Sequence, residues 1–309
     1  MIKKRKISRD SFLYDVTRNW ALYLMILPVT VYFIIFCYWP MYGVQIAFKD
    51  YNAAKGITGS SWTGFRHFQR FFNSYHFWPL IKNTVSLSLY TLVASFPAPI
   101  ILSLLINEVT NSKFKRTVQT VTYAPHFLST VVLAGMLTTF LSPQTGIINH
   151  LIEALGGERI YFMGEPAWFK HIYVWSGVWQ HTGWNAIIYL AALTSISPEL
   201  HEAAIIDGAN KLQRIWHVNI PGILPTAIIL LILNLGQVMN VGFEKVFLLQ
   251  NDLNMKASDV ISTYVYRTGL LGAQYSFSTA VGLFNSIINF TLIVIVNNIS
   301  RKVTEVGLW

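Results

Sequence analysis

Apolar residues in this 309-residue chain are gathered into long runs without charged side chains. Stretches of 25 residues or more that lack Asp, Glu, Lys and Arg lie at 19–48, 83–107, 117–152, 171–198, 215–243 and 268–300. A helix needs about 20 mostly apolar residues to cross the roughly 30 Å hydrocarbon core of a bilayer. The pattern therefore predicts an all-α membrane protein with six transmembrane helices.

The charges between these runs predict the topology. We place the six spans at about 20–39, 83–106, 118–141, 171–195, 223–244 and 278–299, in one membrane domain over residues 20–309. Residues 1–19 form a basic segment that includes Lys3, Lys4 and Arg5. Because cytoplasmic segments of membrane proteins are enriched in Lys and Arg, we expect this terminus in the cytoplasm. With six spans, the carboxyl terminus lies on the same side.

Composition agrees with a membrane protein and excludes several other classes. Only 12% of the residues are charged and 53% are hydrophobic, whereas soluble domains carry about 25% charged residues. The long apolar runs also differ from the short alternating strands of a porin-like barrel. The net charge of +9 is expected to face anionic lipid headgroups rather than nucleic acid. A single cysteine, Cys37, excludes an internal disulfide and a thiolate metal site.

The sequence carries no motif for catalysis or for ATP binding. None of its 19 glycines is followed by lysine, so a Walker A loop is absent and ATP would have to bind another subunit. It also contains neither His-Glu-x-x-His nor Gly-x-Ser-x-Gly, and we predict no catalytic or metal site. Ion-coupled transporters usually carry ionisable residues inside their spans, and here Glu244 is the near exception. A charge-coupled secondary transporter is therefore disfavoured, although sodium sites built from carbonyl groups stay open.

The loop at 197–221 is the most informative segment. Residues 197–225 read SPELHEAAIIDGANKLQRIWHVNIPGILP. Ser197 followed by Pro198 predicts the start of a helix, and Asp207-Gly208 predicts its end. The pattern alone leaves two interpretations open. The helix either rests on the membrane surface or docks another protein.

This loop resembles the signature of ABC importer permeases, Glu-Ala-Ala-x3-Gly-x9-Ile-x-Leu-Pro. The identical positions at the family spacing are Glu202, Ala203, Ala204, Gly208 and Pro221. Val218 and Ile220 replace the usual Ile and Leu, while Asp207 and Ala209 are common in the sugar-importing branch. The stretch 62–84 is similar to the approach to the second span in sugar permeases. The stretch 19–52 resembles the branch that imports complex oligosaccharides, including pieces of acidic polysaccharides. The resemblance thus extends over nearly the whole chain.

The resemblance implies the type I ABC importer permease fold, with a cytoplasmic coupling helix in the loop at 197–221. It also implies a bacterial plasma membrane protein that forms a heterodimer with a second, homologous permease chain. Two ATPase subunits would bind ATP and Mg, and an extracytoplasmic sugar-binding protein would deliver the oligosaccharide. This chain itself would hold no cofactor. The residues expected to couple to the ATPase are Glu202, Ala203, Ala204, Asp207, Gly208 and Pro221.

Polar residues within two spans are candidates for the substrate pathway, because amides hydrogen-bond sugars and aromatic faces stack on their rings. In the fifth span Asn234, Gln237 and Asn240 fall on one helix face. In the fourth span the candidates are Gln180, His181, Trp184 and Asn185. The resemblance supports both sets, since the family's sugar contacts fall in these spans. Interhelical hydrogen bonding is the alternative, and it applies also to Asn285 and Asn289.

Three functions are compatible with the spans. The resemblance favours a permease subunit of an ATP-driven oligosaccharide importer. An ATP-independent secondary transporter of a neutral solute is the main alternative, and a membrane scaffold or sensor is the third. Outer-loop cations either steer an acidic sugar or are ordinary solvated charges. They are Lys49, Lys55, Arg66, Arg70, Lys245, Lys256 and Arg267.

Overall fold

The computed structural model describes residues 17–304 and residue 307. The basic positions of the predicted segment 1–19 that precede Thr17 therefore lie outside the described residues. Within the described part the chain is almost entirely helical. This agrees with the all-α class that the apolar runs predict.

Helices and a small sheet account for the described secondary structure. The α-helices in chain order are α1 Trp20–Phe33, α2 Trp39–Met41, α3 Gly56–Gly59, α4 Arg66–Phe72, α5 Phe77–Ser95, α6 Pro97–Asn107, α7 Ser112–Tyr123, α8 Thr130–Phe140, α9 Ile147–Ala154, α10 Pro166–Thr194, α11 Pro198–Ile206, α12 Lys211–Arg214, α13 Ile220–Gly236, α14 Phe243–Leu249, α15 Met255–Ser258, α16 Ile261–Tyr266 and α17 Tyr275–Thr304. Wider π-helical turns lie at Ile34–Tyr38, Ile215–Asn219 and Arg267–Leu271, and 3₁₀ turns at Tyr42–Phe48 and Ala124–Phe127. Strands β1 Lys49–Asp50 and β2 Ser61–Trp62 pair antiparallel, with Lys49 opposite Trp62 and Asp50 opposite Ser61.

Several helical segments are long and apolar enough to cross a membrane. Four of them in the described part of the chain are Trp20–Phe48, Phe77–Asn107, Lys211–Gly236 and Tyr275–Lys302. They correspond to the predicted first, second, fifth and sixth spans. The predicted fourth span lies in α10, which has 29 residues but is less apolar than these four. Its polar side chains, among them Gln180, His181 and Asn185, lower its hydropathy.

The predicted third span at 118–141 is not one straight helix. Helices α7 and α8 meet at 98° across the turn Ala124–Phe127, and together they count as a fifth apolar segment if the pair forms one span. Pro125 lies in this turn, where its missing N–H and its ring interrupt the helical hydrogen bonds. Ser129 then starts α8 by accepting a hydrogen bond from the backbone N–H of Val132 (3.3 Å).

The helix of the predicted fifth span, 223–244, ends earlier than predicted. Helix α13 begins at Ile220 and ends at Gly236. Beyond it, the backbone N–H of Met239 donates to the Asn289 side chain (3.0 Å) instead of to a helical carbonyl. A side chain 50 positions further along the chain therefore helps to hold this end, and the local sequence does not reveal it.

Contacts divide the chain into two compact units at His67. In the described part of the first unit, an apolar helical segment is followed by the small sheet. There the Lys49 ammonium donates to the carbonyl of Ile57 (2.7 Å), and the ring of His67 bonds the carbonyl of Lys49 (3.0 Å). These contacts hold β1 against the segments that flank β2.

In the second unit, α10 passes through two clusters of buried side chains. Near its start Phe169 and Tyr173 pack with Leu87 and Val246, and near its end Leu193 packs with residues of α6 and α13. At 1.5 Å per residue, a helix of this length extends about 43 Å. Its two ends therefore lie far apart, and a different candidate surface lies near each end.

Candidate functional site

Helix α11 lies where the sequence predicts a helix in the loop at 197–221. Its start is capped by Ser197, whose hydroxyl accepts a hydrogen bond from the backbone N–H of Glu199 (3.3 Å). Pro198 occupies the first turn, where its missing N–H has no helical partner to lose. The Glu199 carboxylate in the same turn is favoured by the positive end of the helix dipole.

The end of α11 depends on Gly208, which has a φ of 81°. Its backbone N–H donates to the carbonyl of Ile205 (3.0 Å), and that of Ala209 donates to the carbonyl of Ala204 (2.8 Å). This pair of bonds is a Schellman motif, which requires the left-handed conformation that glycine adopts without strain. The glycine stop predicted from Asp207-Gly208 is therefore present in the structure.

A second short helix, α12, completes the loop, and its cap is a feature that sequence reasoning missed. The side chain of Asn210 accepts from the backbone N–H of Gln213 (2.9 Å), and that of Gln213 accepts from the backbone N–H of Asn210 (2.8 Å). This reciprocal pair is a capping box, and the spacing Asn-x-x-Gln was the signal for it. It fixes the direction in which the chain leaves α11.

The solvent-facing surface of this loop is largely apolar. Glu202, Ala203, Asp207 and Gly208 are exposed and Ala204 is half-buried. Exposed apolar side chains beside them include Ile206, which is 85% exposed. A groove of about 310 Å³ runs between α11 and the segment that follows, lined by Ala204, Asp207, Gly208, Ala209, Gln213, Arg214, His217 and Val218. Apolar surface rimmed by polar groups is typical of a protein-docking site.

Pro221 lies apart from the other predicted coupling residues. It occupies the first turn of α13, the helix of the predicted fifth span. Asn219, two residues earlier in the chain, is completely buried. Pro221 therefore belongs to the junction between the loop and the span, while the exposed positions on and after α11 form the surface.

The predicted pathway residues of the fifth span lie together. Asn234, Gln237 and Asn240 are exposed and line a cavity of about 180 Å³ at the end of α13. The other polar side chains that line it are Ser88, Thr91 and Ser95 of α5 and Tyr173 of α10. The cavity therefore collects polar side chains from three predicted spans among apolar neighbours, and we call it the polar cavity.

An amide network connects this cavity to α17. The side-chain oxygen of Asn240 accepts from the amides of Asn285 (3.1 Å) and Asn289 (3.0 Å), and its own amide donates to Gln237 (3.0 Å). Asn285 and Asn289 thus make interhelical hydrogen bonds, as the alternative to a role in the substrate pathway predicts. Asn240 makes such bonds and also lines the cavity.

The predicted residues of the fourth span lie elsewhere. Gln180 is 5% exposed, and its amide donates to the carbonyl of Leu128 at the bend between α7 and α8 (2.8 Å). His181, Trp184 and Asn185 are exposed. The ring of His126 stacks on Trp184 at 4.4 Å and its Nδ1 lies 3.2 Å from Nδ1 of His181. The fourth-span residues therefore form a second cluster at the bend, and α10 contributes Tyr173 to the cavity.

Sequence reasoning missed the contribution of α5 to the cavity. Ser88, Thr91 and Ser95 are spaced by three and four residues, which places them on one face of the helix. This signal is visible in the predicted second span, but hydroxyl groups in a helix can bond their own backbone. Thr91 does so, because its hydroxyl donates to the carbonyl of Leu87 (2.8 Å).

Comparison with known proteins gives a family match over most of the chain. Residues 83–305 match the family described as binding-protein-dependent transport system inner membrane component. The matched region contains the loop at 197–221 and the polar cavity. It begins at the predicted second span.

Relatives and solved structures match over almost the full length. Protein LplB of Bacillus subtilis (strain 168) is 44% identical over 299 residues, which cover 97% of this chain and 94% of LplB. The polygalacturonan/rhamnogalacturonan transport system permease protein YteP of the same strain is 42% identical and covers 99% of this chain and 95% of YteP. A chain in the crystal structure of a bacterial alginate ABC transporter, in complex with an alginate pentasaccharide-bound periplasmic protein, is 43% identical with a TM-score of 0.88. That match covers 96% of this chain and 99% of the other.

Proposed function

The chain belongs to the family of binding-protein-dependent transport system inner membrane components, and we propose that it forms half of the translocation pathway of an ATP-driven oligosaccharide importer. It is an ABC importer permease rather than a secondary transporter, and a separate subunit hydrolyses ATP. The observation that carries the proposal is the loop at 197–221. There a helix with capped ends presents Glu202 and Ala203 on an exposed surface, and the exposed Gly208 follows directly at its end.

The topology that we propose has six spans. Helix α10 is the fourth, because 29 residues suffice to cross and its polar face then meets protein or water rather than lipid. The bent pair α7 and α8 is the third span. Broken helices are tolerated at membrane depth where neighbouring protein satisfies the freed backbone groups, as Gln180 does for Leu128. Both termini and the loop at 197–221 are then cytoplasmic in the bacterial plasma membrane.

The same loop is the proposed coupling element. Glu202 and Asp207 present carboxylates to the ATPase, and the small side chains of Ala203 and Ala204 allow a close approach. The caps at both ends of α11 make the helix a rigid body. ATP and Mg bind the ATPase subunits, whose closure moves α11 and, through the junction at Pro221, the fifth span. A rigid helix transmits this displacement directly to the span.

The polar cavity is the proposed part of the sugar pathway. Its volume of about 180 Å³ is smaller than that of an ordinary small-molecule site, about 300–1,000 Å³. This suits a pathway to which a second, homologous permease chain contributes the other half. The amides of Asn234, Gln237 and Asn240 offer donors and acceptors for sugar hydroxyl groups. His181, Trp184 and Asn185 form a second polar and aromatic surface on the fourth span.

The remaining components follow from the family. An extracytoplasmic binding protein delivers the oligosaccharide, and two ATPase subunits dock on the two permease chains. Relatives named for polygalacturonan, rhamnogalacturonan and alginate transport support an oligosaccharide substrate. Alginate is an acidic polysaccharide.

The proposal is tested by uptake into proteoliposomes that contain the assembled transporter. The binding protein and labelled oligogalacturonate are supplied on the extracytoplasmic side of the transporter, and ATP on the cytoplasmic side. We expect uptake that requires ATP and is unaffected by a protonophore. Omission of the binding protein should abolish it. Uptake that continues without ATP and stops when the proton gradient collapses would contradict the proposal and favour a secondary transporter.

A further inference from the structure

A cavity of about 880 Å³ lies at the start of α10, at the end of this helix far from the loop at 197–221. Its walls come from α5, α10, α15 and the turn after α16. The cationic side chains that line it are Lys82, Lys170, Lys256 and Arg267. Small-molecule sites commonly measure about 300–1,000 Å³, so the cavity has room for a short oligosaccharide.

The charges in this cavity are poorly balanced. Its one lining carboxylate, Asp259, already pairs with Arg267 (2.7 Å between Nη2 and Oδ2). Among the described residues, no carboxylate lies within 4.0 Å of Lys82, Lys170 or Lys256. The ammonium of Lys170 donates to the uncharged hydroxyl of Ser86 (2.6 Å). Three positive charges are thus held around one concave space, which attracts an anion.

The wall of the cavity is fixed by buried hydrogen bonds. The amide of Asn83, which is 8% exposed, donates to the carbonyls of Lys256 (2.9 Å) and Asp259 (3.1 Å). The guanidinium of Arg267 lies 5.8 Å from the ring centre of Tyr264. Burial raises the pKa of the Tyr264 phenol, so this ring stays neutral beside the cation. These bonds fix the backbone that carries Lys256 and Asp259, so a ligand need not order this part of the wall.

Aromatic side chains lie at the same cavity. Trp78 and Tyr75 line it and are 73% and 89% exposed. Exposed aromatic faces stack on sugar rings, while ammonium groups make strong charge-assisted hydrogen bonds to carboxylates. A sugar acid offers both a ring and a carboxylate. A ligand with only a ring or only a carboxylate would match the aromatic or the cationic side chains of the cavity, but not both.

We propose that this cavity binds an oligosaccharide that carries carboxylate groups, with Lys82, Lys170 and Lys256 as partners of the carboxylates and Trp78 as a stacking surface. The inference rests on the proposed function, which places the cavity on the extracytoplasmic side where sugar arrives. The cations come from several elements around a concave space, which suits carboxylates spaced along a chain better than one lipid phosphate. A protein partner would instead need a broad surface, about 1,200–2,000 Å² in total.

The test measures binding directly. The transporter complex, prepared without its binding protein in phosphatidylcholine nanodiscs, is titrated with trigalacturonate and with the neutral trisaccharide maltotriose. We expect trigalacturonate to bind at least about tenfold more tightly, because charge-assisted hydrogen bonds distinguish the two. The double variant Lys82→Gln, Lys256→Gln should lose most of this preference.

Two further variants guard against misfolding and general charge effects. The double variant Lys82→Arg, Lys256→Arg keeps both positive charges and should keep the preference for trigalacturonate. Lys55→Gln removes an exposed lysine that is not among the lining residues, and it should behave as the wild type.

Several results would overturn the inference. Equal binding of the two trisaccharides by the wild type would do so, as would a preference that survives the double glutamine variant. Retention of phosphatidylglycerol that trigalacturonate cannot displace would assign the cavity to a lipid instead. Because binding is measured without ATP, a failure here is distinct from a failure of ATP-driven uptake, which would refute the proposed function.

Discussion

Gly208 is the residue on which the geometry of the loop depends most. Its φ of 81° lies in the left-handed region, and a Cβ added there would meet no atom within 4 Å. A substitution at this position therefore acts through the backbone rather than through a steric clash. Any side chain disfavours the turn, and a β-branched one does so most.

We predict that Gly208→Val uncouples ATP hydrolysis from transport. The strain of about 1–3 kcal/mol unwinds the end of α11, and we expect transport to fall about tenfold or more while hydrolysis continues. Uptake and phosphate release are measured on the same proteoliposomes.

Gly156→Val is the matched control for this prediction. Gly156 has a φ of 84° and equally open surroundings, but it follows α9, far along the chain from the loop. The same strain there should leave the ratio of transport to hydrolysis unchanged. Normal coupling in Gly208→Val would show that the end of α11 does not transmit the motion.

At the scale of helices, the bend in the third predicted span is packed closely against α10. Gly183 of α10 faces the backbone carbonyl of Thr122 in α7, and a Cβ at this glycine would overlap with it. Association of helices in lipid depends on such close packing of small residues, because the hydrophobic effect does not drive it. Gly183 therefore fixes how near α7 can approach α10.

We predict that Gly183→Ala destabilises the complex by at least about 1–3 kcal/mol, because a backbone carbonyl cannot move aside as a flexible side chain can. The midpoint of thermal unfolding of the purified complex should fall accordingly. Gly282→Ala in α17 is the control, since a Cβ there meets no atom within 4 Å. An equal change in both variants would mean that helix propensity, and not the contact with Thr122, sets the effect.

Local sequence predicted the helices better than it predicted their interruptions. Apolar runs identify the segments because crossing hydrocarbon requires length and hydropathy, and Ser197 and Gly208 mark the ends of α11 through local capping. The end of α13 at Gly236 depends instead on Asn289, a partner distant in sequence. Pro125 is visible in the sequence, but its presence does not give the angle of 98°.

At the scale of the whole molecule, the sequence located one candidate site better than the other. The loop at 197–221 is continuous in the chain, so its residue spacing alone identified it. The polar cavity combines residues from α5, α10 and the end of α13. Only Asn234, Gln237 and Asn240 were predicted. The other lining residues come together only when helices distant in sequence pack. The cationic cavity at the start of α10 likewise joins Lys82 and Lys170, which lie 88 positions apart.

We propose that this chain forms half of a pathway driven by the ATPase of another subunit. To test this, the tagged protein is purified from its own membrane in mild detergent and its partners are identified by mass spectrometry. We expect a second permease chain and an ATPase with a Walker A motif to accompany it in fixed proportion. A stable monomer or homodimer without any ATPase would mean that no partner ATPase drives this chain.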